Sequence, residues 1–387
     1  MSGTKPKILV LGAGFAGLEL CTTLSEELGD SIEVTLIDES DAFMFGFSKL
    51  DVLFGKKDLP SVRLPYDDFS KPGVRRVKQS ITAIDPADKR VTTNVETHVA
   101  DFLVVALGAD YDFAATPGLL QHGNEFYSVS GAERLRTILP TFSQGKVVIG
   151  VCGAPFKCPP APSEAALMLH DYLSERGVRA NCEITLVIPF GTPVPPSPDT
   201  SKALLAAFAE RDIRFIPSRR VASLKSDDSN SAHGVAVLDD GTELPYELFM
   251  GVPKNCAPKV VLDSPLAQDG WIAVNPKTLE TRFPGVYAAG DGANTGTPKA
   301  GVFAEGAARA VAKSIIAQLQ NKADRGSYPG KGSCYIEFGG DRIARVDVDF
   351  FSGPAPTGTF QEPSTALRVE KNEFGRSRRA RWFGQSS

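Results

Sequence analysis

The chain has 387 residues, 42% of them apolar and 23% charged, and carries a net charge of −4. It is too long for one small core and suits two or three domains, it offers no electrostatic footprint for nucleic acid, and no apolar run in it is long enough to cross a bilayer. Met1 to Lys7 lead toward a strand without the basic, apolar and small-residue segments of a secretory signal, so the expected location is cytoplasmic.

Lys7-Ile8-Leu9-Val10-Leu11 reads as a strand buried on both faces. Gly12-Ala13-Gly14-Phe15-Ala16-Gly17 follows at once, Leu18 to Leu28 has helical apolar spacing, and Glu33 to Ile37 reads as a second strand ending at Asp38-Glu39. Together these make a dinucleotide-binding βαβ unit. The glycines permit a tight turn and close approach of a pyrophosphate to the helix N-terminus, and the acid about 20 residues on can meet a ribose hydroxyl. Further along, Asp101 to Ala109 is a buried strand ending in the small-residue turn Ala106-Leu107-Gly108-Ala109.

From residue 112 to 253 the α/β pattern repeats, with strands expected at Lys146–Val151 and Glu183–Ile188 and a helix at Glu164–Arg176. Where a second glycine fingerprint would stand, the chain reads Val151-Cys152-Gly153-Ala154-Pro155-Phe156-Lys157-Cys158-Pro159-Pro160-Ala161-Pro162-Ser163, and the second strand ends in Pro189-Phe190 with no acid. Both halves of nicotinamide dinucleotide recognition are missing, so this part is expected to keep the doubly wound scaffold without binding NAD(P)H.

Thr281 to Asp291 is an apolar strand ending in Gly290-Asp291, where a carboxylate can accept from sugar or ribityl hydroxyls. A helix expected from Val302 to Gln320 follows the loop containing Lys299, Ala300 and Gly301, and its positive end, with Lys299, would stabilise a reduced flavin. Residues 337–351 alternate enough for one or two strands, Pro354 to Gly358 break that pattern, and the finish sets four arginines beside Trp382 and Phe383. Of the six cysteines, Cys21, Cys182 and Cys256 read as packing residues, and the four histidines form no metal-ligand spacing.

In this order and separation the fingerprint, the 101–109 strand and the 281–291 strand resemble the FAD segments of the glutathione-reductase-like flavoproteins. The resemblance implies FAD, an FAD domain of residues 1–111 and 254–322 interrupted by a second Rossmann-like domain of 112–253, and a C-terminal segment of 323–387. It implies cofactor contacts from Gly12, Gly14, Phe15, Ala16, Gly17, Asp38, Glu39, Ser48, Ile81, Ala106, Leu107, Gly108, Gly290, Asp291, Lys299, Ala300 and Gly301.

The segments Lys157 to Glu164 and Tyr328 to Tyr335 resemble, more narrowly, the sulfide:quinone oxidoreductases and the flavoprotein subunit of flavocytochrome c sulfide dehydrogenase. That resemblance implies a redox disulfide between Cys158 and Cys334 beside the flavin, sulfide or a small thiol as substrate, and a quinone or other electron acceptor. Attack on a disulfide by a thiolate fits sulfur chemistry. The released thiolate is expected to have a depressed pKa, and Glu164 is the candidate proton carrier. Cys152 is a competing partner for Cys158.

The family also docks C-terminal amphipathic helices on the membrane. Here the basic aromatic finish is short, compatible with weak peripheral contact and equally with an intramolecular surface. Two other readings stay open: a type II NADH dehydrogenase-like quinone reductase, and a flavin-binding sensor without turnover.

Overall fold

The computed structural model describes residues 5–227 and 230–385. Two five-stranded parallel sheets organise the chain. The first runs in the order Val286–Ala288, Phe102–Val105, Lys7–Leu11, Glu33–Asp38, Val74–Lys78. The second runs Asn124–Glu125, Leu248–Val252, Gly145–Val151, Cys182–Val187, Ile213–Ile216. Their central strands are apolar on both faces because helices cover both sides, as parallel sheets require. A two-stranded antiparallel ribbon, Asp110–Asp112 against Lys254–Cys256, carries the chain from the first sheet to the second and back.

The expected helices are close to those observed, Phe15–Leu28, Ala161–Glu175 and Gly301–Leu319. The strand expected over 281–291 is only Val286–Ala288, because Asn275 to Phe283 turn back on themselves through Asn275, Thr278 and Thr281 side chains. The C-terminal part is an antiparallel sheet of Lys331–Glu337, Ile343–Asp349 and Thr357–Ser364, followed by a helix over Ala366–Phe383. Residues 337–351 hold the strand Ile343–Asp349 and the end of the one before it, a third strand begins at the end of the Pro354–Gly358 break, and Cys334 lies in the middle of the first.

One continuous apolar cluster joins both parallel sheets, the C-terminal sheet and Trp382. Cys21 and Cys182 are buried in it, as expected of packing residues, whereas Cys256 is half-buried in the inter-sheet ribbon. Among the described residues no helix is long and apolar enough to cross a membrane.

The basic aromatic finish is not a free surface. Trp382 is fully buried, its ring edge-on to Phe15 at 5.7 Å and Phe43 at 5.4 Å, and its indole N–H donates to Glu19 at 2.8 Å. Arg381 pairs with Glu19 and Glu26, and Arg378 with Glu305. The aromatic and charged side chains considered for membrane contact are thus largely engaged inside the molecule.

Candidate active site

A cavity of about 680 Å³ runs along the C-terminal ends of the first sheet and under the C-terminal sheet. Each glycine of the fingerprint does a separate job. Gly12 turns at φ +97°, and a Cβ there would sit 2.5 Å from the Ala106 carbonyl oxygen. A Cβ on Gly17 would collide with the Gly12 carbonyl at 1.9 Å, so Gly17 lets the helix close on the turn. A Cβ on Gly14 would meet nothing within 4 Å, because that side faces the cavity. These are the three roles a dinucleotide needs, and the open space at Gly14, at the mouth of a 14-residue helix, fits a pyrophosphate.

Gly12, Gly14, Phe15, Ala16, Asp38, Glu39, Ile81, Ala106, Leu107, Gly108, Gly290, Asp291, Lys299, Ala300 and Gly301 all line the cavity. Gly17 does not, for the packing reason just given. Ser48 does not either: it is 2% exposed with its N–H on the Phe45 carbonyl, and the neighbouring Lys49 lines the cavity in its place. Of the two acids, Asp38 is occupied, one oxygen taking the Ala13 N–H and the other the Ser40 N–H, both at 2.7 Å. Glu39 accepts only from the Ser80 hydroxyl, at 2.8 Å, and is the freer carboxylate for a ribose.

The far end of the cavity brings two cysteines and a carboxyl together. Cys158, Glu164 and Cys334 line it together with Lys371, Tyr335 and Phe374. Cys158 sits in the left-handed region at φ +75°, uncommon for a residue with a side chain, and its backbone is held on three sides. Its N–H donates to the Lys299 carbonyl at 3.0 Å, while its carbonyl accepts the Ala161 N–H at 2.8 Å and the Tyr127 hydroxyl at 3.4 Å. All six cysteines are thiols here. Cys158 is exposed toward the cavity it lines, where the surrounding walls still desolvate its sulfur, and Cys334 is half-buried.

The two thiols do not have the surroundings that would depress a thiol pKa. Burial, then the nearby Glu164 carboxyl and the Cys334 thiol, push Cys158 well above the ordinary cysteine value, with Lys371 pulling weakly back. Burial and Glu164 likewise push Cys334 up to about 12. Lys157, the cation adjacent in sequence, turns away: its ammonium donates to the Ala109 carbonyl and lies 4.4 Å from the centre of the Tyr111 ring. The competing partner Cys152 is 1% exposed in the core of the second sheet, packed with Val221 and Phe249, and does not line the cavity.

Glu164, in the first turn of its helix, is 4% exposed, and burial raises it to about 7 against the pull of Lys371 and the Glu337 N–H, which donates to it at 3.0 Å. A carboxyl in that range exchanges protons near neutrality, which thiols held this high require. At the other side Lys49, Lys157 and Lys299 surround Asp291. Lys49 donates to the Tyr127 carbonyl, and Lys299, bonded to the Asp291 carbonyl, lies 3.4 Å from the centre of the Trp271 ring. Burial pulls Lys49 and Lys299 each down to about 8.

Lys49, Tyr127 and Lys371 escaped the sequence reading. Lys49 follows an aromatic run with no local signature, and Lys371 sits on a helix read only as a charged tail. Among the described residues no cluster of His, Cys, Asp or Glu suits a metal ion, and the side chain of His233 lies outside those described.

A family model described as pyridine nucleotide-disulphide oxidoreductase matches residues 6–321. The mitochondrial sulfide:quinone oxidoreductase of Mus musculus is 24% identical over 376 residues, 94% of this chain and 82% of the relative. The crystal structure of the sulfide:quinone oxidoreductase from Aquifex aeolicus superposes with a TM-score of 0.85 at 21% identity, covering 98% of this chain and 93% of that one. At that identity the likeness is one of fold. A type II NADH:quinone oxidoreductase of Staphylococcus epidermidis is 31% identical, but over only 35% of this chain and 34% of its own length.

Proposed function

The chain belongs to the pyridine nucleotide-disulphide oxidoreductase family, and from that membership we propose that it is an FAD-dependent oxidoreductase that oxidises sulfide and passes the electrons to a quinone. The observation that carries this reading is that Cys158 and Cys334, 176 positions apart by subtraction of their residue numbers, line the same cavity as the glycine fingerprint. The mouse and Aquifex relatives, named as acting on sulfide and quinone, support it.

In the oxidised protein the two cysteines form a disulfide. Hydrosulfide attacks one sulfur, the S–S bond breaks, and the products are a persulfide on one cysteine and a thiolate on the other. A second sulfide or thiol removes the sulfane sulfur and leaves two cysteines, whose return to the disulfide releases two electrons and two protons. FAD, when bound, supplies the two-electron acceptor for that step. The chain's own residues hold the reactants and move the protons. Glu164 takes a proton from the incoming hydrogen sulfide and from the two cavity thiols, which desolvation would otherwise keep protonated. The N-terminus of helix Gly301–Leu319 and Lys299 present positive charge where the cofactor gains negative charge. Phe374, Tyr335 and Phe47 give the cavity an aromatic wall suited to a quinone ring.

Sulfide added anaerobically to the FAD-loaded protein is expected to bleach the flavin absorbance. Cys158→Ala and Cys334→Ala each slow that bleaching by on the order of a hundredfold or more while retaining FAD. Bleaching that survives in both variants overturns the disulfide route, and a wild-type protein left oxidised by sulfide overturns the function.

A further inference from the structure

Lys371 projects from the C-terminal helix into the sulfur end of the cavity, where three elements meet. Its ammonium pairs with Glu337, the last residue of the strand that carries Cys334, and both side chains are 13% exposed. The backbone N–H of the same Glu337 donates to Glu164. Glu164, buried, and Lys371 and Glu337, mostly buried, therefore form one unit lining the cavity end that holds the two cysteines, supplied by the helix after Cys158, the C-terminal helix and the Cys334 strand.

We propose that Lys371 is a positioning residue whose ammonium, held by Glu337 beside the Glu164 carboxyl, sets the pH at which Glu164 gives up its proton, making the C-terminal helix part of the sulfur site. The inference rests on the reading of Glu164 as proton carrier. A buried ammonium favours the charged form of a nearby carboxyl, and a second carboxylate on the same ammonium draws that effect away. The charges facing Glu164 agree with this arrangement. Lys371 stabilises its carboxylate, and Glu337 and Asp51 oppose it. Cys158 and Cys334, on the cavity side, and the Tyr127 hydroxyl are neutral neighbours at neutral pH, each pushed up by burial. Asp51 is itself paired with Lys57 at 3.1 Å, which leaves Lys371 as the principal cation acting on Glu164. Lys371 stays charged although burial works against it, because Glu337 and Glu164 together hold its pKa above the ordinary lysine value.

The two partners give opposite expectations, which a merely structural role would not. Lys371→Met removes the stabilising charge and moves the acid limb of sulfide-driven flavin reduction upward by about one pH unit, and Lys371→Arg restores it. Glu337→Gln removes the competing carboxylate and moves the limb downward. The same shifts are expected in the protonated-carboxyl infrared band of Glu164, identified by its loss in Glu164→Gln and titrated in the oxidised protein without substrate.

Opposite displacements of that band in Lys371→Met and Glu337→Gln support the proposal. A band that titrates at the same pH in both variants overturns it, whatever the turnover does. If the band moves as expected while Glu164→Gln leaves the acid limb of turnover intact, the coupling stands and the assignment of Glu164 as proton carrier fails.

Discussion

Gly12 and Gly14 are two residues apart and differ in what they cannot tolerate. Gly12 has no room: its φ is +97° and the Ala106 carbonyl stands 2.5 Å from where a Cβ would be. Gly14 has ordinary extended backbone, φ −78° and ψ −163°, and open space beside it. Gly12→Ala is therefore expected to cost more than about 2 kcal/mol of folding stability, from strain and collision with backbone. Gly14→Val should leave the stability of the FAD-free protein within about 0.5 kcal/mol and weaken FAD binding at least about tenfold, because its side chain fills the place of the pyrophosphate. Urea unfolding of the FAD-free variants and flavin titration followed by fluorescence measure the two effects separately. A Gly14→Val protein that retains FAD like the wild type would remove the pyrophosphate from that position.

The C-terminal helix shows what a chain of short windows conceals. The fingerprint of residues 12–17 was legible because turn, pyrophosphate approach and helix packing are all settled within six neighbouring residues. The helix over Ala366–Phe383 buries only Leu367, Gly375, Trp382 and Phe383, and its arginines find their partners far off, Arg381 meeting Glu19 across 362 residues. No local pattern carries such a pairing, so its residues read as a charged tail. Lys371 was lost for the same reason. The meeting of Cys158 and Cys334 was anticipated through family resemblance, not through any rule of spacing.

The energetics of this docking centre on Glu19, whose side chain is wholly buried. Burial alone would raise its pKa, but Arg381, the Trp382 indole N–H and Arg309 outweigh burial and hold it below the ordinary value of 4.5. A lowered folded-state pKa means that the stabilisation is present in full above the unfolded value and is lost as pH falls through the folded one. Glu19→Ala leaves the indole N–H without its acceptor and takes one of two carboxylate partners from each of Arg381 and Arg309, and should cost about 3–5 kcal/mol at pH 7. The penalty should shrink in the acid range below pH 4.5, where the wild-type carboxyl protonates. Trp382→Ala should cost about 3–5 kcal/mol through the cavity it leaves among Phe15, Phe43 and Phe45, with little dependence on pH. Urea unfolding at pH 7 and at pH 4 distinguishes the two, and a pH-independent Glu19→Ala penalty would deny the carboxylate its part.

At the scale of the whole molecule, two parallel sheets of the same design differ at the turn where a dinucleotide would dock. The helix after the second sheet's central strand begins at Ala161, as a nucleotide-binding helix should, but its first turn is poor in donors. The Ala161 N–H is taken by the Cys158 carbonyl and the Glu164 N–H by the Pro160 carbonyl, and Pro162 has none. At the turn before it the Lys254 side chain lies against Gly153, 2.7 Å from where a Cβ would be, and the Phe156 and Phe190 rings stack at 5.8 Å. A pyrophosphate needs several free N–H groups at a helix mouth and backbone it can approach, and this turn is poor in both. The same prolines bend the chain so that Ala161 and Glu164 face the cavity of the first dinucleotide site beside Cys158. The prolines that crowd this turn and the residues that line the cavity beside Cys158 belong to one segment. NADH is therefore expected to leave the flavin oxidised under anaerobic conditions. At millimolar concentration it should not raise the unfolding temperature of the FAD-loaded protein, since a ligand without a native-state site adds no stability. A rise in that temperature together with bleaching by NADH would identify a working second site and return the type II NADH dehydrogenase reading.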